Sequence, residues 1–226
     1  LDRNHEPLAI STPIHSAWVH PRQFLEARDR WPELSRILGM SVDHIETKVV
    51  PRGEKKFVYL KRHLTPDESL AVRDLNVGGL SLTEEDRRYY PAAEYAAHVV
   101  GFTNVDGQGQ EGIELAFDRL LRGEPGLRRV IKDKRRRVVE DVARLRPVIP
   151  GQNVVLTIDQ RVQYVAYREL KSAVQANGAQ AGSVVVLDTR TGEVMALVNR
   201  PSVNPNNRSD LRDEHYRNRA ITDLFE

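Results

Sequence analysis

The stretch from residue 153 to residue 198 constrains the fold more strongly than any other part of the chain. It opens with the strand-like run NVVLTI, and Asp159 can cap a helix over 160–176 that ends at Asn177-Gly178. The run SVVVLD-TRTG-EVMALV predicts a hairpin whose turn contains Gly192. We therefore expect strands near 154–158, 183–188 and 193–198 in an antiparallel sheet, with the helix packed on one face.

The apolar pattern of this stretch predicts which side chains are buried. The stripe that is expected to face the sheet consists of Val162, Val165, Ala166, Leu170, Ala173 and Val174. Four consecutive apolar residues at 184–187 indicate a strand buried on both faces.

The first 150 residues alternate short helices and extended segments, so the whole chain is predicted to be α+β. A helix is predicted over 21–40, where Pro32 divides it and Gly39 ends it, and a second helix is predicted to begin at Ser41. A third begins at Thr65, which forms a capping box with Glu68. A fourth is predicted from the shared apolar face of Ile113, Phe117, Leu120 and Leu121. Extended segments are predicted at 1–20, 56–62, 80–90, 127–132 and 137–143. The run RPVIPGQN at 146–153 is the best candidate for a linker.

Composition excludes several classes of site. The chain has 226 residues, no cysteine and a net charge of +2. Disulfides, thiolate zinc sites and cysteine nucleophiles are therefore excluded. No apolar run approaches the ~20 residues that span a bilayer. Because the seven histidines are scattered and the charge is dispersed, we expect no metal, no cofactor and no nucleic-acid partner.

Two short sequence motifs are candidates for functional sites, and neither is supported by this sequence. The run GQGQEG at 107–112 has the spacing G-x-G-x-x-G, but FTNVD before it is too short and polar for a buried strand, so we interpret it as a turn. No serine is followed three residues later by lysine, so the S-x-x-K set of penicillin-type acyl enzymes is absent. The chain alone is therefore expected to be inactive as an enzyme.

Seven of the ten residues 128–137 are Lys or Arg. One interpretation is a contact surface for an acidic partner or anionic lipid, formed by Arg128, Arg129, Lys132, Lys134, Arg135, Arg136 and Arg137. The other is a solvated hairpin tip anchored by the neighbouring valines and isoleucine. The lack of interleaved aromatic residues argues against nucleic-acid stacking.

Six stretches together resemble the class B penicillin-binding proteins of the cell-division type, and they extend from residue 1 to residue 226 in the order of that family. They are LDRNHEPLA (1–9), RRYYPAAEYAAHVVGFTNVDGQGQEGIELAFDRLLRGEPG (87–126), IKDKRRRVVED (131–141), LTIDQRVQYVAYREL (156–170), AGSVVVLDTRTGEVMALVNRPSVNPNN (181–207) and RNRAITDLFE (217–226).

The resemblance implies an interior piece of a septal peptidoglycan D,D-transpeptidase. An elongated membrane-proximal pedestal, or dimerisation-type domain, is expected over 1–150, with a small head lobe at about 18–81. The start of the transpeptidase domain is expected over 151–226. In the family a membrane helix precedes such a segment, and P-G-S-T-x-K with the acylating serine follows DLFE.

The family also implies a setting for the complete protein. The parent would cross-link stem peptides of the septal cell wall from the periplasmic side of the inner membrane, and β-lactams would bind the parent only. Partners would be a membrane glycan polymerase and other division proteins. The alternative is a stand-alone module that binds protein or peptidoglycan and has no enzymatic role.

The family motifs that match this chain point to structural residues. They are Arg3, Arg88, Tyr90, Pro91, Gly109, Gly112 and Glu114. We expect Arg88, or Arg3, to pair with Glu114, because a guanidinium offers a bidentate fork to a carboxylate.

Glycine is usual in the family at three positions of this chain, which carry His5, Ala93 and Arg136. Glycine is favoured at turns because it reaches positive φ without a Cβ clash. His5 can adopt the left-handed region, whereas Arg136 predicts a longer or different turn.

Overall fold

A computed structural model of the chain describes residues 1–132, 138–207 and 213–223. It divides into two compact units. The inserted unit is Ser11–Arg87, and the main unit comprises Leu1–Ile10 and Arg88–Glu226. Helices and strands occur in both, which confirms the predicted α+β class.

The inserted unit contains a three-stranded sheet and short helices. The strands are β1 (Ile10–Val19), β2 (Val58–Lys61) and β3 (Leu80–Tyr89), in the order β2-β1-β3. The helices are α1 (Pro21–Phe24), α2 (Trp31–Leu38), α3 (Val42–Val49) and α4 (Pro66–Leu75), with 3₁₀ segments at Leu25–Arg30 and Val50–Arg52. These elements enclose a core of apolar side chains, which includes Phe24, Trp31, Leu34 and Leu60.

Three of these helix ends are formed by the capping residues that the sequence predicted. Ser41 accepts a hydrogen bond from the His44 amide and caps α3. Thr65 and Glu68 form the reciprocal capping box that opens α4. Gly39, with φ of 62°, ends α2 in the left-handed conformation that glycine adopts without strain.

The main unit contains two hairpins and one long helix. Its helices are α5 (Ala97–Val100), α6 (Gly112–Ala116), α7 (Asp118–Arg122), α8 (Gln160–Ala176), α9 (Asp213–Tyr216) and α10 (Arg219–Thr222), with a 3₁₀ turn at Ala93–Tyr95. The antiparallel pairs are β4 (Leu127–Lys132) with β5 (Val138–Arg146), and β6 (Gly182–Leu187) with β7 (Val194–Arg200). Asp159 caps α8, and Tyr167 and Leu170 on this helix pack against Val198 of β7. The predicted helix, its cap and the hairpin beside it are confirmed.

The strand expected near 154–158 is not formed. These residues instead make separate hydrogen bonds in two directions: the Leu156 amide donates to Leu1 O, and the Asp159 amide donates to Met195 O. The Leu1 amino group also donates to Val154 O at 2.8 Å, and the Arg3 amide donates to Ile158 O at 2.9 Å, so this extended segment lies mainly along the N-terminal residues.

The helix predicted on the face of Ile113, Phe117, Leu120 and Leu121 is interrupted. Phe117, with φ of −115°, separates α6 from α7, and its side chain is 42% exposed. Glu114 is the buried residue of α6. Glu114 forms a buried ion pair with Arg88, whereas Leu120 of the predicted apolar face is 39% exposed.

The buried faces of α8 and β6 also differ from the prediction. On α8 Leu170 is buried as predicted, and Ala166 and Val174 pack against the same cluster. Gln163 and Tyr167 are also buried, whereas Val165 is 48% exposed. On β6 Leu187 is 55% exposed, so the strand is not buried on both faces. The reason is that β6 belongs to a two-stranded sheet with a helix on one side, so alternate residues of the strand have no covering element.

No helix in the described ranges combines the length and apolarity needed to cross a membrane. The turn that we predicted around Arg136 falls at 133–137, outside the described residues.

Candidate functional site

Within the main unit, a buried ion pair joins Arg88 to Glu114 of α6. Arg88 Nε lies 2.8 Å from Glu114 Oε1, and the Glu114 side chain is only 3% exposed. Burial raises the pKa of Glu114 above its usual value, and the nearby Arg88 charge opposes that rise. The predicted pairing of Arg88 with Glu114 is therefore present. Arg3 pairs instead with Glu193, at 3.2 Å.

The predicted glycines allow the backbone to pass close to α6. A Cβ on Gly109 would lie 2.0 Å from Glu114 O, and a Cβ on Gly112 would lie 2.6 Å from Val99 O. The Gly109 amide donates to Asp118 Oδ1 at 2.8 Å. Any larger residue at these two positions would displace the turn that carries Glu114.

Tyr90 connects three segments of the main unit. Its side chain is 2% exposed, and its hydroxyl accepts a hydrogen bond from the Thr103 amide at 2.9 Å. Its backbone exchanges two hydrogen bonds with the Asn206 side chain: the Tyr90 amide donates to Oδ1 at 3.0 Å, and Nδ2 donates to Tyr90 O at 2.8 Å. Pro91, which follows it, is half-buried.

Gln163 of α8 is completely buried and makes three backbone hydrogen bonds. Its Nε2 donates to Tyr95 O and to Leu197 O, each at 2.7 Å, and its Oε1 accepts from the Leu197 amide at 2.8 Å. One side chain thus joins α8, β7 and the turn before α5. We call this arrangement, together with the Tyr90–Asn206 contact, the junction.

The first residues of the chain lie along the segment that leads into α8. The Arg3 amide donates to Ile158 O at 2.9 Å, and Asp2 Oδ2 accepts from the Gln160 amide at 3.1 Å. Burial opposes the charge of Asp2, but backbone hydrogen bonds from Gln160, Glu6 and Asn4 lower its pKa. Asp2 is therefore held as a carboxylate that orders both the N-terminal turn and the start of α8.

Asn199 of β7 holds the segment 218–220. Its Oδ1 accepts from Ser183 Oγ at 2.7 Å and from the Ala220 amide at 2.8 Å, and its Nδ2 donates to Asn218 Oδ1 at 2.9 Å. Asn199 is 1% exposed. These bonds fix the start of α10 against the β6–β7 hairpin.

Among the described residues, Ser16 Oγ donates to the Glu85 carboxylate at 2.6 Å, and that carboxylate also pairs with Arg62 at 3.1 Å. Ser183 donates to an amide oxygen, and Ser202 Oγ donates to Glu94 O at 2.7 Å. Within the same residues, no group of three or more His, Asp or Glu side chains is placed to hold a metal ion. The geometry therefore supports positioning of one segment against another.

The basic run lies only partly within the described residues. Arg128, Arg129 and Lys132 belong to β4, which pairs with β5. Lys134 to Arg137 fall outside the described ranges, so the contact surface predicted there remains a prediction.

Sequence reasoning missed the residues that make the junction. A single buried glutamine or asparagine has no periodic pattern, and its partners lie 34 to 116 positions away in sequence. The polar loop PSVNPNN, which contains Asn206, indicated only a loop. By contrast, His5 and Ala93, where glycine was expected, do adopt positive φ, of 64° and 42°.

Comparison with protein families gives two matches along the chain. Residues 1–156 match the penicillin-binding protein dimerisation domain, and residues 182–226 match the penicillin-binding protein transpeptidase domain. The helix α8 lies between the two matched ranges.

Similar proteins include three peptidoglycan enzymes. The peptidoglycan D,D-transpeptidase FtsI of Escherichia coli K12 is 44% identical over the whole chain. The probable peptidoglycan D,D-transpeptidases PbpC of Pseudomonas aeruginosa and PenA of Neisseria gonorrhoeae are each 39% identical, again over the whole chain. The chain spans 39–40% of the length of these relatives.

Proposed function

Because the chain belongs to the penicillin-binding protein family, we propose that it forms the non-catalytic pedestal of a peptidoglycan D,D-transpeptidase, together with the opening elements of the catalytic domain. The proposed division is 1–150 for the pedestal and 151–226 for the catalytic part. The separate compactness of Ser11–Arg87 supports a head lobe inserted in the pedestal at about 18–81.

The observation that carries this proposal is the completely buried Gln163. Its side chain bonds both to Tyr95, in the range that matches the dimerisation domain, and to Leu197, in the range that matches the transpeptidase domain. A buried amide whose partners are fixed backbone groups resists displacement, since each unmade bond costs about 1–3 kcal/mol. The role proposed for the pedestal is to fix the orientation of the first catalytic hairpin.

The chemistry of the complete protein follows from the family as a proposal. A serine would attack the D-Ala-D-Ala carbonyl of a stem peptide and release the terminal D-Ala, and the acyl group would pass to an amine of a neighbouring stem. β-Lactams would acylate the same serine. In this chain Asn199 would act through position, because it anchors the segment 218–220 that by resemblance leads to that serine.

The proposed setting is the periplasmic side of the bacterial inner membrane during septum formation. The proposed partners are a membrane glycan polymerase and other division proteins, with the basic residues of 128–137 as one contact surface. Reversal of the charges at Arg135, Arg136 and Arg137 should weaken co-purification with the polymerase. Unchanged co-purification would remove this hairpin from the interface.

Acylation by a fluorescent penicillin tests the positioning role. In the full-length protein we expect Gln163→Leu to slow acylation about tenfold or more at a temperature where the variant stays folded, because the hairpin loses its fixed orientation. The matched control is Gln175→Leu, on an exposed position of the same helix, which should leave the rate unchanged. Equal rates for Gln163→Leu and the parent would contradict the proposal.

The 226-residue chain by itself should not be labelled, because it lacks an S-x-x-K serine. Covalent labelling of this polypeptide would show that it carries its own nucleophile and would exclude a purely structural role.

A further inference from the structure

A groove in the inserted unit is lined by apolar and basic side chains and by no carboxylate. Its volume is about 560 Å³. Pro13 and Ile14 of β1 form one side, Leu70 and Arg73 of α4 form another, and Arg87 of β3 also lines it. All of these residues belong to the inserted unit.

The apolar part of this groove is open to solvent. Leu70 is 55% exposed although it lies on a helix whose other face contributes to the core. β2 pairs with β1 only at Ala17–Val19, so Pro13 and Ile14 extend beyond that pairing. Extended backbone of β1 therefore borders the groove at Pro13 and Ile14.

The two arginines of the groove have no acidic partner within the described ranges. Arg73 is exposed, Arg87 is half-buried, and neither takes part in an ion pair among the described residues. Nearby basic residues behave differently, since Lys61 pairs with Glu68 at 2.7 Å and Arg62 pairs with Glu85 at 3.1 Å. Two guanidinium groups beside an exposed leucine are therefore left for an external anion.

We propose that this groove binds an extended segment of a partner protein in which carboxylate side chains alternate with aliphatic ones. In an extended chain, neighbouring side chains point to opposite faces and every second one lies on the same face. Aliphatic side chains would contact Leu70 and Ile14, and carboxylates would reach Arg73 and Arg87. A polyanion without apolar groups would leave the leucine face uncovered. The inference does not depend on the transpeptidase role.

The test uses the whole 226-residue chain and a short fluorescein-labelled peptide in which glutamate alternates with leucine. We expect saturable binding by fluorescence anisotropy, with amide chemical-shift changes centred on Ile14, Leu70 and Arg73. The double variant Arg73→Glu, Arg87→Glu should weaken binding at least about tenfold, because it replaces two attractive contacts by repulsive ones. The matched control is Arg22→Glu, since Arg22 is exposed and does not line the groove.

Peptides of different composition distinguish specific binding in the groove from non-specific electrostatic attraction. A lysine–leucine peptide should not bind, and a glutamate–serine peptide should bind at least several-fold more weakly than the glutamate–leucine peptide. Equal binding of the glutamate–serine peptide, or of vesicles of anionic phospholipid, would show a general anion surface and overturn the proposal. So would shift changes outside the groove, or no binding at all. Because none of these readouts involves acylation, failure here leaves the proposed pedestal role unaffected.

Discussion

Replacement of Arg88 by alanine should destabilise the main unit strongly at neutral pH. The variant would leave the Glu114 carboxylate buried at 3% exposure without its partner. Loss of one member of a buried pair typically costs about 3–5 kcal/mol. Because the Arg88 side chain retains 19% exposure, water can partly replace it, so we expect the lower end, about 3 kcal/mol. For a unit of this size that corresponds to a decrease in Tm of roughly 6–12 °C.

The pH dependence of this loss distinguishes a charge effect from a packing effect. The pKa of Glu114 is raised in the folded protein, so its contribution to stability is full below its unfolded pKa and is lost as pH rises through the folded value. Without Arg88 the folded pKa rises further, and the loss becomes larger. The difference between variant and parent should therefore be small at about pH 4 and should grow towards pH 8.

Urea unfolding of the 226-residue chain, followed by far-ultraviolet circular dichroism at several pH values, measures this difference. Arg168→Ala is the matched control, because Arg168 and its partner Glu169 are 61% and 64% exposed and such pairs contribute about 1 kcal/mol or less. A loss for Arg88→Ala that is independent of pH, or larger in acid, would show that the argument from a buried carboxylate is wrong.

Three further changes test separate local features. Thr65→Ala should lower the free energy of unfolding of the inserted unit by about 1 kcal/mol through loss of the capping box, and tryptophan fluorescence reports it because Trp18 and Trp31 both lie in that unit; an unchanged urea midpoint would contradict it. Ala93→Gly should raise stability by up to about 1 kcal/mol, since φ of 42° strains alanine, and a lower Tm would contradict it. Burial lowers the pKa of His98 to about 4 from 6.5, so the stability that the neutral imidazole contributes should be lost as pH falls through that range. His98→Asn should therefore flatten this part of the pH–stability profile. An unchanged profile would show that other groups cause the loss of stability in acid.

The elements that could be predicted from the sequence depend on contacts between residues close in the chain. Asp159 caps α8 through the Arg161 and Val162 amides, two and three residues away. Thr65 and Glu68 close their box within one turn. Capping contacts of this kind form within one turn of the helix and so depend little on the rest of the fold. The Arg88–Glu114 pair is a longer contact, and it was accessible only because both residues stand in motifs of the family.

The errors arise where distant contacts determine which residues are buried. Val165 and Gln163 are two residues apart and so lie on nearly opposite sides of α8, and hydrophobicity alone places Val165 inside. The structure does the reverse: Gln163 makes three hydrogen bonds to Tyr95 O and to both backbone groups of Leu197, whereas Val165 is 48% exposed. Satisfaction of three backbone groups outweighs the ~1.5–3 kcal/mol that burial of a valine provides.

The same reasoning explains why the junction is polar. An apolar contact between the Tyr95 turn and the β6–β7 hairpin would bury a similar area but would tolerate sliding, since dispersion and the hydrophobic effect have little directionality. Hydrogen bonds from Gln163 to Tyr95 and Leu197, and from Asn206 to both backbone groups of Tyr90, require one register. A part whose proposed role is orientation therefore benefits more from buried amides than from additional valines. On this argument Gln163→Leu and Asn206→Leu should each lower the acylation rate of the full-length protein at temperatures where the variant remains folded, so that unfolding does not account for the lower rate.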